Sequence, residues 1–253
     1  MLLLLFLLAG QDDTLEPPRT RVRGSVEAWL AGLSGSVREG TSSAPGDRIP
    51  FSELDPEEHQ AVLAFRGGVE TALDSTSVTR MEIDGVYWAA EWHGDGVLST
   101  GGQFNDILFP AGSAVSSRIR TEFYAVEARC SITFDSLPWC RAGILGDVHL
   151  MRFPIVIESA AQRERVTNGD LGYRIGLFVE ARPFPHVVAA AHFAFGDGVA
   201  RSALYDGTLS LGAEWPHVRF EAGWRGWNYD STFDDSELHV RISGPFVAVS
   251  TRF

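Results

Sequence analysis

The sequence predicts an all-β fold: a transmembrane antiparallel up-and-down β-barrel of about ten strands, with eight to twelve allowed. Three observations lead there. Apolar and polar residues alternate through stretch after stretch between Val22 and Phe253, the period of a strand with two unlike faces. The polar connections alternate in length, long at 38–58, 94–117, 158–170, 197–206 and 230–236, short at 73–78, 135–140, 183–186 and 216–217. A soluble sandwich with Greek-key crossings has no reason to sort its loops in this way. No run of 18 or more apolar residues exists, so no membrane helix is predicted, and a membrane barrel needs none.

Taken in order, MLLLLFLLAG has the apolar core and small residues of an export signal, cleaved near Gly10; a positive n-region is missing, so either the true start codon lies upstream or this start is atypical. Gln11 stands where a lipoprotein would carry Cys, so lipidation is not predicted. Residues 11–21 form an acidic, Pro-containing linker on the periplasmic side, and 22–253 form the barrel. In the first strand Val22, Gly24, Val26, Ala28 and Leu30 oppose Arg23, Ser25 and Glu27. Ala61, Leu63, Phe65 and Val69 then oppose Arg66 and Glu70, and Met81, Ile83, Tyr87 and Ala89 oppose Glu82 and Asp84. Tyr124 to Phe134 alternates against Glu127 and Arg129, and the strand 141–157 changes parity near Phe153–Pro154, as a bulge would require. Clean alternation returns over 172–182, 187–196, 208–215 and 218–229. The closing strand runs from Glu237 to Phe253, with a second parity change expected at Gly244–Pro245.

The net charge of −12 and pI near 5 exclude a nucleic-acid partner, which needs a basic face. All 21 basic residues are Arg, whose planar fork suits interior ion pairs. With the apolar sets facing lipid, the lumen receives Glu27, Glu70, Glu82, Asp84, Glu127, Asp147, Glu180, Glu214 and Glu221, together with Arg23, Arg66, Arg129, Arg174, Arg182, Arg219 and Arg225. Paired charges are tolerated where lone ones are not, so a mixed-charge plug is expected, and a narrow ion or solute path is the alternative. Trp29, Trp88, Trp92, Trp215, Trp224, Trp227 and Tyr229 are expected to form interfacial girdles. Cys130 and Cys140 are expected to pair as a local disulfide in an exported chain.

No catalytic, cofactor-binding or metal-binding residue is assigned, and no cofactor is predicted. His93 and Asp95 in WHGDG, and His239 after the acidic 230–237 segment, are the rim positions where a lipid- or peptide-hydrolysing site would have to be built, but no spacing joins them to a nucleophile. His149 and His192 belong to the lumen, and His186 and His217 to turns. GDG at 94–96 and 196–198 suits turns rather than phosphate binding.

FPAGSAVSS followed by an alternating strand, and the ending ISGPFVAVSTRF, resemble a family of uncharacterised bacterial outer-membrane β-barrels that close on Gly-Pro and a terminal Phe. The resemblance implies fold and location: a bacterial outer-membrane barrel surrounded by lipid, with its C-terminal strand read by the barrel-assembly machinery. It implies no active residue. The expected role is non-enzymatic, structural or surface-binding through the outer loops to an extracellular ligand. The alternatives are a narrow channel, a rim enzyme and a secreted soluble ligand-binding barrel.

Overall fold

The computed structural model describes residues 20–41, 46–73, 78–199, 201–233 and 236–253. The export signal and all of the linker but Thr20 and Arg21, which already belong to the first strand, lie outside the described residues. The elements are β1 (Thr20–Arg38), β2 (Arg48–Pro50), α1 (Phe51–Leu54), β3 (Gln60–Ala72), β4 (Thr79–Leu98), β5 (Gly102–Phe104) and β6 (Ile107–Phe109). They continue as β7 (Ser113–Phe134), β8 (Leu137–Glu158), β9 (Arg163–Phe184), β10 (Val187–Gly198), β11 (Ser202–Glu214), β12 (Val218–Phe233) and β13 (Ser236–Arg252).

Ten of these strands, β1, β3, β4 and β7 to β13, pair each with the next, and β13 returns to β1, so the sheet closes. Val26 lies opposite Val249, Gly32 opposite Ser243, and the backbones of Val22 and Phe253 exchange hydrogen bonds of 3.0 and 2.8 Å. Within the belt, closure leaves no free strand edge, the only way a sheet can satisfy its backbone in lipid. All ten barrel strands expected from the alternation are present.

Val26, Leu63, Val126, Ile144, Ile175, Leu177, Leu209 and Val247 stand exposed on the outside and make an apolar belt. Tyr87, Tyr124 and Trp224 mark its edge toward the long connections, Trp139, Phe184 and Trp215 its edge toward the short turns. The girdle expectation holds for Trp215 and Trp224 and fails for Trp29, Trp88, Trp92, Trp227 and Tyr229, which are buried inside the barrel.

That failure has a physical cause. β7, β8 and β9 are 22 residues each, roughly 70 Å of strand at ~3.3 Å per residue, whereas a belt ~25 Å tall uses less than half of that even at barrel tilt. Beyond the belt the outside is water and the inside is an apolar cluster, so the apolar side chains move to the inner face. Met151, Phe153, Ile155 and Ile157 point inward, as do Leu238, Val240 and Ile242, all buried. The pairing of β8 with β9 and of β13 with β1 and β12 runs through these places without a register shift. The bulges expected at Phe153–Pro154 and Gly244–Pro245 are therefore absent. Gly244 is needed for another reason: a Cβ there would lie 1.9 Å from the Leu30 carbonyl oxygen and 3.4 Å from the Trp29 indole nitrogen. The register shifts that do occur sit at the short-turn end, at Thr133/Phe134 and Val187/Ala189.

Most of the expected loops are shorter. The β8–β9 connection is 159–162 rather than 158–170, much of 197–206 is strand, and 230–233 belong to β12. Asp135 and Ser136 alone turn β7 into β8. Polar residues read as loops are strands standing in water. The GDG segments lie in β4 and β10, not in turns. Gly94 and Gly96 let α1 approach β4, since a Cβ at either would meet the Leu54 or Glu53 carbonyl oxygen at 2.2 or 2.0 Å.

The cysteines are free. Cys130 faces Ile144 across β7–β8, so Cys140 is offset by four residues, about 13 Å along the strand. A disulfide needs Cα atoms within ~7 Å, which the register forbids.

Candidate functional site

The lumen has two layers. Within the belt the inward positions carry the charges, and every one of the nine acids and seven arginines expected there is turned inward and paired. Arg23 bridges Glu82 at 2.5 Å and also holds Asp84. Arg66 joins Asp84 (3.3 Å) to Glu127, which Arg129 also reaches at 2.6 Å. Glu180 gathers Arg141 (3.4 Å), Arg182 (2.6 Å) and Arg219. Arg174 spans Asp147 (2.6 Å) and Asp206 (2.7 Å), and Asp206 also meets Arg225 at 3.2 Å. Most of these carboxylates answer two or three guanidiniums, which are thereby held by opposite charge and by geometry.

Several members were missing from the sequence reading. Arg80 pairs with Glu70 at 2.9 Å, Arg141 with Glu82 at 3.1 Å, and Arg252 with Glu214. Arg141 and Arg252 obey the inward alternation, so parity carried to the strand ends would have found them. Asp206 lay in a stretch read as loop. His149 and His192 are in the lumen as expected: His149 Nδ1 lies 2.8 Å from Asp147, and His192 Nδ1 2.7 Å from Thr208 Oγ1.

Above the charges Trp29, Trp88, Phe123, Phe153, Trp227 and Tyr229 fill the bore. Trp88 stacks on Phe123 at 5.7 Å and meets Trp29 and Trp227 edge-on at 5.9 and 5.6 Å. The layers meet through cation–π contacts, Arg174 over Phe123 at 5.0 Å and Arg225 over Trp29 at 5.2 Å. The mouth is then capped. Phe51 and Leu54 of α1, Ile49 of β2, and Phe104 and Phe109 of the β5–β6 hairpin are buried in the same cluster. Ser99 donates its backbone N–H (3.1 Å) and hydroxyl (2.9 Å) to Glu53, and the Gln103 N–H donates to Asp47 at 2.8 Å, tying the cap together. At the other end a cavity of about 220 Å³ lies among the charges and reaches the short-turn mouth at His217 and Arg252.

At the rim, His93 Nε2 lies 3.0 Å from Glu91, not from Asp95, and both residues face outward on β4. His239 Nδ1 lies 2.7 Å from Asp230, also on the outside. His186 and His217 occupy turns, with their Nδ1 atoms against the carbonyl oxygens of Glu214 and Arg252. Among the described residues no group of three or more His, Cys, Asp or Glu is placed to hold a metal ion.

A closed ten-stranded antiparallel sheet with an apolar belt outside and paired charges inside is a transmembrane β-barrel of the bacterial outer-membrane class. Among solved structures, the chain is similar to the outer membrane protease OmpT from Escherichia coli, at a TM-score of 0.55 and 9% identity, covering 95% of this chain and 99% of that one. It also matches the translocator domain of the autotransporter NalP from Neisseria meningitidis (TM-score 0.47, 10% identity, 95% and 90% covered). A third match is Ail, the attachment invasion locus protein of Yersinia pestis (TM-score 0.38, 12% identity, 92% and 99% covered). The likeness to OmpT is one of fold, and nothing rests on the two weaker ones. No protein-family model matches the sequence, and no curated protein matches it.

Proposed function

We propose that the protein is a non-conducting outer-membrane barrel with a structural or surface-binding role, whose contacts with an extracellular ligand are made by its long-connection rim. The observation that carries this reading is the two-layer lumen: a network of ion-paired acids and arginines, sealed by the Trp29–Trp88–Trp227 cluster and the α1 cap. A diffusive path needs a continuous wet bore, and small barrels fill theirs with side chains. Planar-bilayer recording of the purified protein tests it. No stepwise current is expected, and discrete conductance levels would replace this reading with a channel. Assembly belongs to the same proposal: the exposed Val247 and Val249 of β13, with Phe253 just after it, are what the barrel-assembly machinery would read. Phe253→Ala should then slow the appearance of folded protein in cells.

A second reading, a rim enzyme acting on lipid or peptide, is favoured by one observation. On the outer face Asp230 holds His239 at 2.7 Å, and Ser36 stands directly across from His239 in the sheet. OmpT is an outer membrane protease, and a hydrolytic activity lost in both His239→Ala and Ser36→Ala would establish this reading here.

A further inference from the structure

Outside the barrel the charges are unevenly placed. On β4, β7, β8 and β9 the belt ends in the row Tyr87, Tyr124, Leu150 and Leu171, where the two tyrosine rings lie 4.9 Å apart. The next outward row toward the long connections holds Ala89, Glu122, Arg152 and Gly169. Then come Glu91 and Arg120 with Pro154 and Thr167, and then His93, Arg118, Val156 and Arg165. Four guanidiniums thus face out within three rows, about 14 Å of strand. Two acids share these rows. Glu91 meets Arg118 at 3.4 Å and Arg120 at 3.7 Å, and Glu122 meets Arg120 at 2.6 Å. Arg152 and Arg165 are exposed and have no carboxylate partner among the described residues. One row higher, Asp95 and Glu158 accompany Arg163, so the positive zone is a band bounded above by acids and below by tyrosines.

On a chain of net charge −12 this band has the opposite sign. The seam of β12, β13 and β1 is different: at comparable height above the belt it presents Gly226, Ser243, Gly32, Asn228, Arg241, Ser34, Asp230, His239 and Ser36. The band lies immediately beyond the hydrocarbon edge, at the level where lipid headgroups begin. Arginine's fork matches phosphate bidentately, and unpaired arginines beside a bilayer attract anionic headgroups.

We propose that the outer face of β7, β8 and β9 binds anionic lipid headgroups, those whose phosphate carries no compensating cation. Arg152 and Arg165 are the primary contacts, Arg118 and Arg120 assist while shared with Glu91 and Glu122, and Tyr87 and Tyr124 pack against the headgroup–chain junction. The inference rests on the membrane-barrel reading and adds an interaction surface to it.

The test uses the full chain refolded in phosphatidylcholine vesicles with and without phosphatidic acid, followed by extraction and native mass spectrometry of retained lipid. Wild type should retain phosphatidic acid over phosphatidylcholine by roughly tenfold or more, as two arginines at a bilayer surface allow. Arg152→Gln combined with Arg165→Gln should bring retention close to parity, while Arg241→Gln on the far seam leaves the preference unchanged. A preference that survives the double substitution, or falls equally in Arg241→Gln, overturns the proposal. So does displacement of the lipid by inorganic phosphate alone, which would mark a free-anion site. Failure to form a heat-modifiable folded band in phosphatidylcholine alone would instead sink the barrel reading beneath it.

Discussion

Glu180 shows what a single lumen side chain carries. It is buried and answers Arg141, Arg182 and Arg219 together. Glu180→Ala leaves three guanidiniums short of counter-charge, and breaking such a buried arrangement costs about 3–5 kcal/mol. The folded gel band of that variant should be lost at a clearly lower temperature than in wild type. Trp88 holds the other layer. It is fully buried against Trp29, Phe123 and Trp227, and Trp88→Ala should cost about 3–5 kcal/mol by transfer and cavity terms. Retention of wild-type thermal stability in both variants would contradict the two-layer description of the lumen.

Among the elements, the cap is the part that can be moved without touching the barrel ladder. Gly96→Val drives a side chain into the Glu53 carbonyl and should lift α1 from β4 while the ten-strand pairing persists. The expected result is a folded, heat-modifiable protein whose tryptophan fluorescence is more readily quenched by acrylamide. Unchanged quenching would place α1 elsewhere. β2 is fastened differently. Arg48 hydrogen-bonds Glu237, with Arg38 beside it, and this holds the Glu237 carboxyl below its ordinary range. A lowered folded-state pKa contributes stability that is present above the unfolded pKa and lost as pH falls through the folded value. Hydrogen exchange at Ile49, corrected for its intrinsic pH dependence, should therefore accelerate in acid, and Glu237→Gln should show the faster rate already at neutral pH. An Ile49 rate indifferent to both changes would remove this clamp.

Taken as one object, the protein is a barrel that protrudes well beyond its belt and whose bore is filled with different matter inside and beyond the membrane. It should migrate differently on gels with and without boiling and should be recovered with membranes. Identical migration together with recovery in the soluble fraction would refute the membrane barrel. Both cysteines should react with a membrane-permeant maleimide in the unfolded chain without prior reduction, giving two added labels by mass. A chain that takes up label only after reduction would restore the disulfide that the register excludes.

How much of this was legible beforehand depends on which surroundings each residue meets. Period-two alternation, the absence of a helical span and the sorted turns are enough to determine a closed antiparallel barrel and to name most of the lumen charges, though not Arg80, Arg141, Asp206 or Arg252. Inside the belt the apolar face has a single destination, lipid, so Glu82, Asp84 and Arg174 could be set inward from parity alone. Beyond the belt the same alternation has two possible meanings, because water and an apolar plug exchange sides while the backbone continues unchanged. The alternation does not mark the residue at which the bilayer stops, so by itself it assigns Trp29, Trp88 and Trp227 to a girdle and predicts a bulge at Phe153–Pro154. It also left the outward arginines unplaced, since Arg118, Arg120, Arg152 and Arg165 come together only when β7, β8 and β9 are aligned. The barrel, its belt and its charged bore were determined by the chain's own periodicity; the aromatic seal, the cap and the cationic band were decided by register and by strand length relative to the belt.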